Sequence, residues 1–197
     1  MVLNNQSPQI ILPDTKVLQI VCVGRIHPRK GQLQLLQALQ LIPLELQNNI
    51  RVVFAGPINQ TSYQKKLNGV ALGMRAEITF TGELSDKDLS ELYQKSTIFA
   101  LTPTLTKKSV EGFGFVYLEA SAFGLPIIAT KVGGVEDAVR HGETGLLSNP
   151  SDAEELKNNI VTLIENPSLR KKLGTHGITW AKRHTWETVA HKLYREN

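Results

Sequence analysis

The chain reads as an α/β protein: a doubly wound, parallel, six-stranded sheet with helices on both faces. Three observations predict this. Apolar runs of strand length alternate with longer segments of helical period, the alternation recurs six times, and the strongest strand candidates are apolar almost throughout. A parallel strand covered on both faces has no solvent side, so a continuous apolar run is its signature. At 197 residues the chain is sized for one such domain.

The elements follow in order. Met1 to Asp14 is polar and broken by Pro8 and Pro13, so residues 1–15 read as a linker or edge and residues 16–197 as the domain. Val17 to Val23 is the first strand, followed by a helix from Lys30 to Ile42 with Leu33, Leu36, Leu39 and Leu41 near helical spacing. Arg51 to Ala55 is the second strand, closed by Gly56-Pro57, and Thr61 to Met74 is helical despite Gly69 and Gly73. Glu77 to Thr81 and Thr97 to Leu101 are strands, with a helix from Ser85 to Lys95 between them. A helix from Gly114 to Phe123 precedes the strand Pro126 to Thr130. A short helix from Glu136 to His141 leads to the last strand, Gly145 to Ser148. Only helices follow: Ser151 to Glu165, Pro167 to His184, and Trp186 to Arg195. Ser151 with Glu154 is spaced as a capping box, and Pro167 suits a first helical turn.

Strands alternating with helices, joined by right-handed crossovers, make 3-2-1-4-5-6 the expected strand order. That order places the loops after the first and fourth strands side by side, at the crevice where ligands bind in such sheets.

Composition narrows the function. A net charge of +4 and a pI near 9.2 suit an anionic small ligand or an anionic membrane surface and are too weak to imply nucleic acid. The aromatics show none of the basic–aromatic interleaving that stacks bases, and no apolar run reaches the ~18 residues of a membrane span. Cys22 is the only cysteine, so no internal disulfide forms; a reducing, cytoplasmic setting is expected, with peripheral membrane association compatible. It lies in an apolar run and reads as a core residue.

The loop after the first strand, Gly24-Arg25-Ile26-His27-Pro28-Arg29-Lys30-Gly31, is neither a dinucleotide-binding glycine turn nor a Gly-Lys-Ser/Thr phosphate loop. It supplies cations. Arg25 can grip phosphate oxygens in a bidentate manner and Lys30 adds a compact point charge, although such residues also decorate solvated loops. The loop after the fourth strand runs from Thr102 to Phe115 and contains Glu111-Gly112-Phe113-Gly114-Phe115. Gly112 and Gly114 allow close approach of backbone amides to a ligand at the positive end of the coming helix. Glu111 and Glu119 frame this stretch with seven residues between them. Two readings stay open from spacing alone. Either they accept hydrogen bonds from sugar hydroxyls, or Glu111 caps the helix and Glu119 makes a surface ion pair.

The paired-glutamate stretch Glu111 to Ala120, with Gly124-Leu125-Pro126, Gly133-Gly134 and the Arg25…Lys30-Gly31 turn, resembles the C-terminal domain of family-four glycosyltransferases. The resemblance extends through Phe54 to Pro57, Phe80 to Gly82 and Thr144 to Leu147, and covers almost everything from Val17 to Tyr194. It implies a Rossmann-like domain forming one half of a GT-B fold, and a retaining transferase that needs no metal or other cofactor. The implied donor is a nucleotide-diphosphate sugar, and the implied acceptor a hydroxyl on a sugar, a lipid-linked or another molecule. Arg25 and Lys30 would neutralise the leaving diphosphate. Glu111 would hold hydroxyls of the transferred sugar beside the amides of Gly112, Phe113, Gly114 and Phe115. Amides near Gly114, Phe115 and Val116 would reach the phosphates, and Glu119 would accept from the ribose. Gly82, Glu83 and Leu84 would lie against the base, and Gly24 would also belong to the substrate-binding residues. The acceptor-binding N-terminal domain of that family is absent from this sequence, so the chain by itself is expected to be inactive. A non-catalytic nucleotide-sugar module, or a nucleotide-sugar epimerase or hydrolase, is the alternative.

Other signals are read as structural. Asp86-Lys87-Asp88 spells a metal-binding Asp-x-Asp, but it opens a helix in which Ser85 and Asp88 are spaced for capping. The five histidines lack metal-ligand spacing, His27 included. Trp180 and Trp186 are expected to pack the C-terminal helices against the domain, and Lys107-Lys108 reads as a solvated loop tip.

Overall fold

The computed structural model of the chain describes residues 17–105 and 114–184. They form a six-stranded sheet in the expected order, 3-2-1-4-5-6. Its strands are β1 (Leu18–Val23), β2 (Ile50–Ala55), β3 (Glu77–Gly82), β4 (Ile98–Leu101), β5 (Ile127–Thr130) and β6 (Gly145–Ser148). Every neighbouring pair is parallel.

Burial follows position in the sheet. All four residues of β4, β5 and β6 are buried, whereas edge strand β3 alternates exposed and half-buried residues. Between the layers the core is aliphatic with a few rings: Ile20, Leu35, Leu36, Leu39, Phe54, Phe99, Tyr93 and Tyr117 are all at 0% exposure. Cys22 belongs to this core, and burial pushes its thiol up to about 12, which removes it as a nucleophile.

The helices are α1 (Gln32–Gln40), α2 (Leu44–Gln47), α3 (Thr61–Ala71), α4 (Asp86–Lys95), α5 (Phe115–Ala122), α6 (Val135–Ala138), α7 (Ala153–Glu165) and α8 (Pro167–Lys182). A 3-10 turn, Pro28–Lys30, precedes α1. Several expectations need correction. The buried face of α1 is Gln32, Leu35, Leu36, Ala38 and Leu39, while Leu41 lies beyond the helix and is exposed. Helix α6 ends at Ala138 and not at His141, because Val139 turns extended and Arg140 N donates to Thr144 Oγ1 at 2.9 Å, starting a turn. The cap of α7 is Asp152 and not Ser151: Asp152 Oδ1 accepts from Glu155 N at 2.8 Å. Glu155 is itself held by Asn149 N at 2.7 Å, which sets that register. Helix α2 was not anticipated.

Other expectations stand. Ser85 Oγ accepts from Asp88 N at 3.2 Å, so the Asp-x-Asp is a helix start. Trp180 Nε1 donates to Ala138 O at 2.9 Å, holding α8 against the end of α6. Trp186 and the helix from Trp186 to Arg195 lie outside the described residues.

Candidate functional site

The β1 and β4 loops meet as the topology requires. Gly31, at the end of the β1 loop, has φ +75°, and a Cβ built there would sit 1.6 Å from the carbonyl oxygen of Thr102. Only glycine fits that left-handed, backbone-against-backbone approach. The contact is bonded as well as close. Thr102 Oγ1 donates to Gly31 O at 2.8 Å and Thr104 N donates to Arg29 O at 3.0 Å. Thr102 is buried, so these bonds are shielded from water.

Within the β1 loop, His27 caps the 3-10 turn, its Nδ1 accepting from Arg29 N at 3.2 Å. Gln32 is fully buried; its Nε2 donates to Arg25 O at 2.9 Å and its Oε1 accepts from His27 N at 3.4 Å. The methylenes of Lys30 lie over Gly24, with Cε 3.8 Å from where a Gly24 Cβ would be, and Arg25 is exposed. The loop therefore presents its cations from a bonded frame. Neither carboxylate nor other acid occurs between Gly24 and Gln32.

On the other side of the crevice, Gly114 (φ +71°) caps α5 without a side-chain hydrogen bond. A helix start leaves backbone N–H groups outside the intrahelical ladder and carries positive potential, both suited to an anion. The Tyr117 hydroxyl donates to Leu101 O at 3.1 Å, pinning α5 to the end of β4. Phe115 is exposed and Val116 half-buried at this tip.

Glu119, one turn further along α5, is half-buried against α4. Burial first raises its pKa; the neighbouring Tyr93 hydroxyl opposes this and Asp86 at the start of α4 adds to it. Burial and the facing Glu119 carboxylate likewise push the Tyr93 phenol up. The Tyr93 oxygen is fully buried, and the Glu119 carboxylate is its neighbour there. Asp86 directly follows the segment Gly82-Glu83-Leu84-Ser85, so Glu119 lies beside the β3–α4 loop.

The structure thus gathers Gly24, Arg25 and Lys30 next to the β4 loop, and Glu119 next to the loop of Gly82 and Leu84. Glu111, Gly112 and Phe113 lie outside the described residues. Gln32, Thr102 and Tyr93 were missed; Gln32 and Thr102 are polar groups among core positions, a mismatch that was the available signal, whereas Tyr93 reads as core. A separate hollow of about 300 Å³, between α1 and the start of α7, is lined by Gln34, Gln37, Thr130, Asn149 and Asp152, among others, and by none of the expected donor-site residues. Among the described residues, no three His, Cys, Asp or Glu side chains gather as a metal site, and no helix is long and apolar enough to cross a membrane.

Residues 4–180 match the family described as Glycosyl transferases group 1. The chain belongs to this family. Among its relatives is the GDP-mannose-dependent alpha-(1-6)-phosphatidylinositol monomannoside mannosyltransferase of Mycobacterium tuberculosis, 32% identical over 180 residues, covering 88% of this chain and 46% of the relative. The D-inositol 3-phosphate glycosyltransferase of Corynebacterium efficiens is 31% identical, over 88% of this chain and 41% of its own length. Among solved structures, Anabaena HepE in complex with UDP superposes with a TM-score of 0.78 at 27% identity, over 90% of this chain and 49% of that one. The C-terminal domain of a group 1 glycosyl transferase, LpcC of Francisella tularensis, shares the fold over 93% of its length, with a TM-score of 0.74 at 23% identity. The group 1 chain described here spans about half the length of the curated relatives it matches. Its fold is the Rossmann-like half of a GT-B glycosyltransferase.

Proposed function

We propose that the chain is the donor-binding half of a retaining, metal-independent glycosyltransferase that moves a sugar from a nucleotide diphosphate to an acceptor hydroxyl. The observation that carries this reading is the bonded contact of the β1 and β4 loops through Thr102–Gly31 and Thr104–Arg29. It brings a turn bearing Arg25 and Lys30 to the strand whose loop leads into α5. A diphosphate in that crevice has cations on one side and helix-start amides on the other. HepE, at 27% identity, was crystallised with UDP and also with UDP-glucose, which supports a nucleotide-sugar ligand.

Cleaving the sugar–phosphate bond leaves negative charge on the departing nucleotide diphosphate. Arg25, Lys30 and the first amides of α5 absorb that charge from preorganised positions, the role a divalent ion takes elsewhere. Glu111 holds the transferred sugar, Glu119 the ribose, and Gly82 to Leu84 the base. The acceptor is oriented by a domain outside these 197 residues, which closes over the donor. The phosphatidylinositol monomannoside in the name of the mycobacterial relative supports an acceptor at a membrane surface, reached by peripheral association in the cytoplasm.

Thermal unfolding with UDP-, GDP- and ADP-sugars in excess chelator tests the donor site. At ~100 times its dissociation constant the cognate donor adds ~2.7 kcal/mol, about 5–10 °C for a domain of this size. A flat response to the whole panel overturns the reading. Analysis of the anomeric product made together with the acceptor-binding domain tests retention, and hydrolysis or epimerisation of the donor alone assigns the chain to another reaction.

A further inference from the structure

We propose that Gln32 is a positioning residue for donor binding: its buried carboxamide holds the diphosphate-gripping turn in shape. The inference rests on the donor-site reading above. Gln32 opens α1 at a position whose helical neighbours on the same face, Leu35, Leu36 and Leu39, are all fully buried leucines. An apolar side chain would suit such a place, since burying an amide is unfavourable unless its donor and acceptor are both used. Both are used, and both partners are backbone atoms of the turn itself. Nε2 donates to Arg25 O at 2.9 Å and Oε1 accepts from His27 N at 3.4 Å.

A carboxamide is suited to this because it carries a donor and an acceptor a fixed distance apart. One side chain thereby ties the peptide groups on both sides of Ile26, which is itself 1% exposed and donates its N–H to Pro57 O at 3.0 Å. The Arg25 backbone is held from below while its guanidinium stays at the surface. Immediately after Lys30 the chain is locked again at Gly31, by Thr102. The two cations thus project from a segment bonded at both ends, and Gln32 supplies the end nearer Arg25. Without the amide, Arg25 O and His27 N lose their partners and the turn gains freedom that a bound diphosphate must remove.

The test uses the whole chain with Gln32→Met, which keeps length and loses the hydrogen bonds, and Gln32→Asn, which keeps the amide and loses the reach. Affinities for UDP, GDP and ADP are measured by calorimetry in chelator, and those for uridine, guanosine and adenosine by ligand-observed NMR. The preferred diphosphate weakens roughly tenfold in both variants, while the matching nucleoside is unaffected, because it lies against Glu119 and the β3–α4 loop. On an Arg25→Ala background the further loss from Gln32→Met falls below about twofold, as expected of groups acting through one contact. Gln32→Asn carries the test if Gln32→Met does not unfold cooperatively. Equal loss for nucleoside and diphosphate, no loss for either, or full additivity with Arg25→Ala overturns the inference. A wild-type chain that binds diphosphate and loses it in Arg25→Ala but not in Gln32→Met overturns this inference alone. A wild-type chain that binds no nucleotide diphosphate removes the donor-site reading and this inference with it.

Discussion

Gly31→Ala is the most informative single change for the crevice, because the structure sets its consequence. An alanine Cβ at residue 31 would stand 1.6 Å from Thr102 O and 2.4 Å from Thr102 C, both backbone atoms of a buried residue. Neither can be moved by a side-chain rotation, so the β1 and β4 loops must part. The left-handed conformation at φ +75° costs an alanine roughly 1–2 kcal/mol. Overpacking adds roughly 1–3 kcal/mol. A total near 3 kcal/mol lowers the melting temperature by about 6–12 °C in a domain of this size, and the separated loops weaken nucleotide-diphosphate binding. Gly69→Ala is the control: it lies in α3 and its Cβ would meet nothing within 4 Å. Removing a helical glycine there should stabilise by ~0.5–1 kcal/mol. Differential scanning calorimetry of both variants, with and without nucleotide, reads the contrast. A Gly31→Ala protein that melts within 2 °C of wild type would refute the tight loop contact (a shift that small corresponds to about 1 kcal/mol or less).

Two further predictions follow from the described side chains. The folded pKa of Glu119 lies above its ordinary value, chiefly through burial, so the folded state favours the protonated acid. That stabilisation is complete below the ordinary carboxyl range and is lost as pH rises through the raised pKa. Glu119→Gln should therefore melt higher than wild type near neutral pH, the advantage shrinking on acidification to about pH 4, while nucleotide affinity falls roughly tenfold; a lower melting point at neutral pH contradicts this. Arg170 is 8% exposed and its Nη1 donates to Leu163 O and Ile164 O, at 2.6 and 2.9 Å, in the last turn of α7. Arg170→Leu should cost about 1.5–3 kcal/mol by chemical denaturation, without changing nucleotide affinity, since its guanidinium bonds the last turn of α7 and neither loop of the crevice.

Much of the fold was legible because it depends on patterns a sequence displays directly. Continuous apolar runs in the central strands and alternation in β3 located the strands to within about a residue, and crossover handedness then ordered them. Helix phase was less legible. The leucines at 33 and 41 imitate a buried stripe, yet α1 starts after the left-handed Gly31, and the buried face runs through Gln32, Leu35 and Leu39. Helix α2 has four residues, too few for a period to show. At α7, Ser151 and Asp152 are both good caps, and the bond from Asn149 N to Glu155 settled the choice. For the site, topology alone predicted that the β1 and β4 loops meet. The contacts that fasten them, Thr102 to Gly31 and Gln32 to Arg25 and His27, join polar groups to backbone atoms and leave no spacing to read. Tyr93 facing Glu119 was equally hidden, because a tyrosine on an apolar helix face reads as core.

Donor binding as proposed requires Arg25 and Lys30 to meet the diphosphate of a nucleotide ligand. The most direct measurement is the ratio of affinities for nucleoside diphosphate and nucleoside monophosphate, in chelator, for wild type, Arg25→Ala and Lys30→Ala. A charge-assisted hydrogen bond is worth ~1.5–3 kcal/mol, so each alanine should cost the diphosphate roughly tenfold or more and the monophosphate much less, collapsing the ratio. An unchanged ratio in both variants would place the diphosphate away from Arg25 and Lys30 and contradict their proposed role.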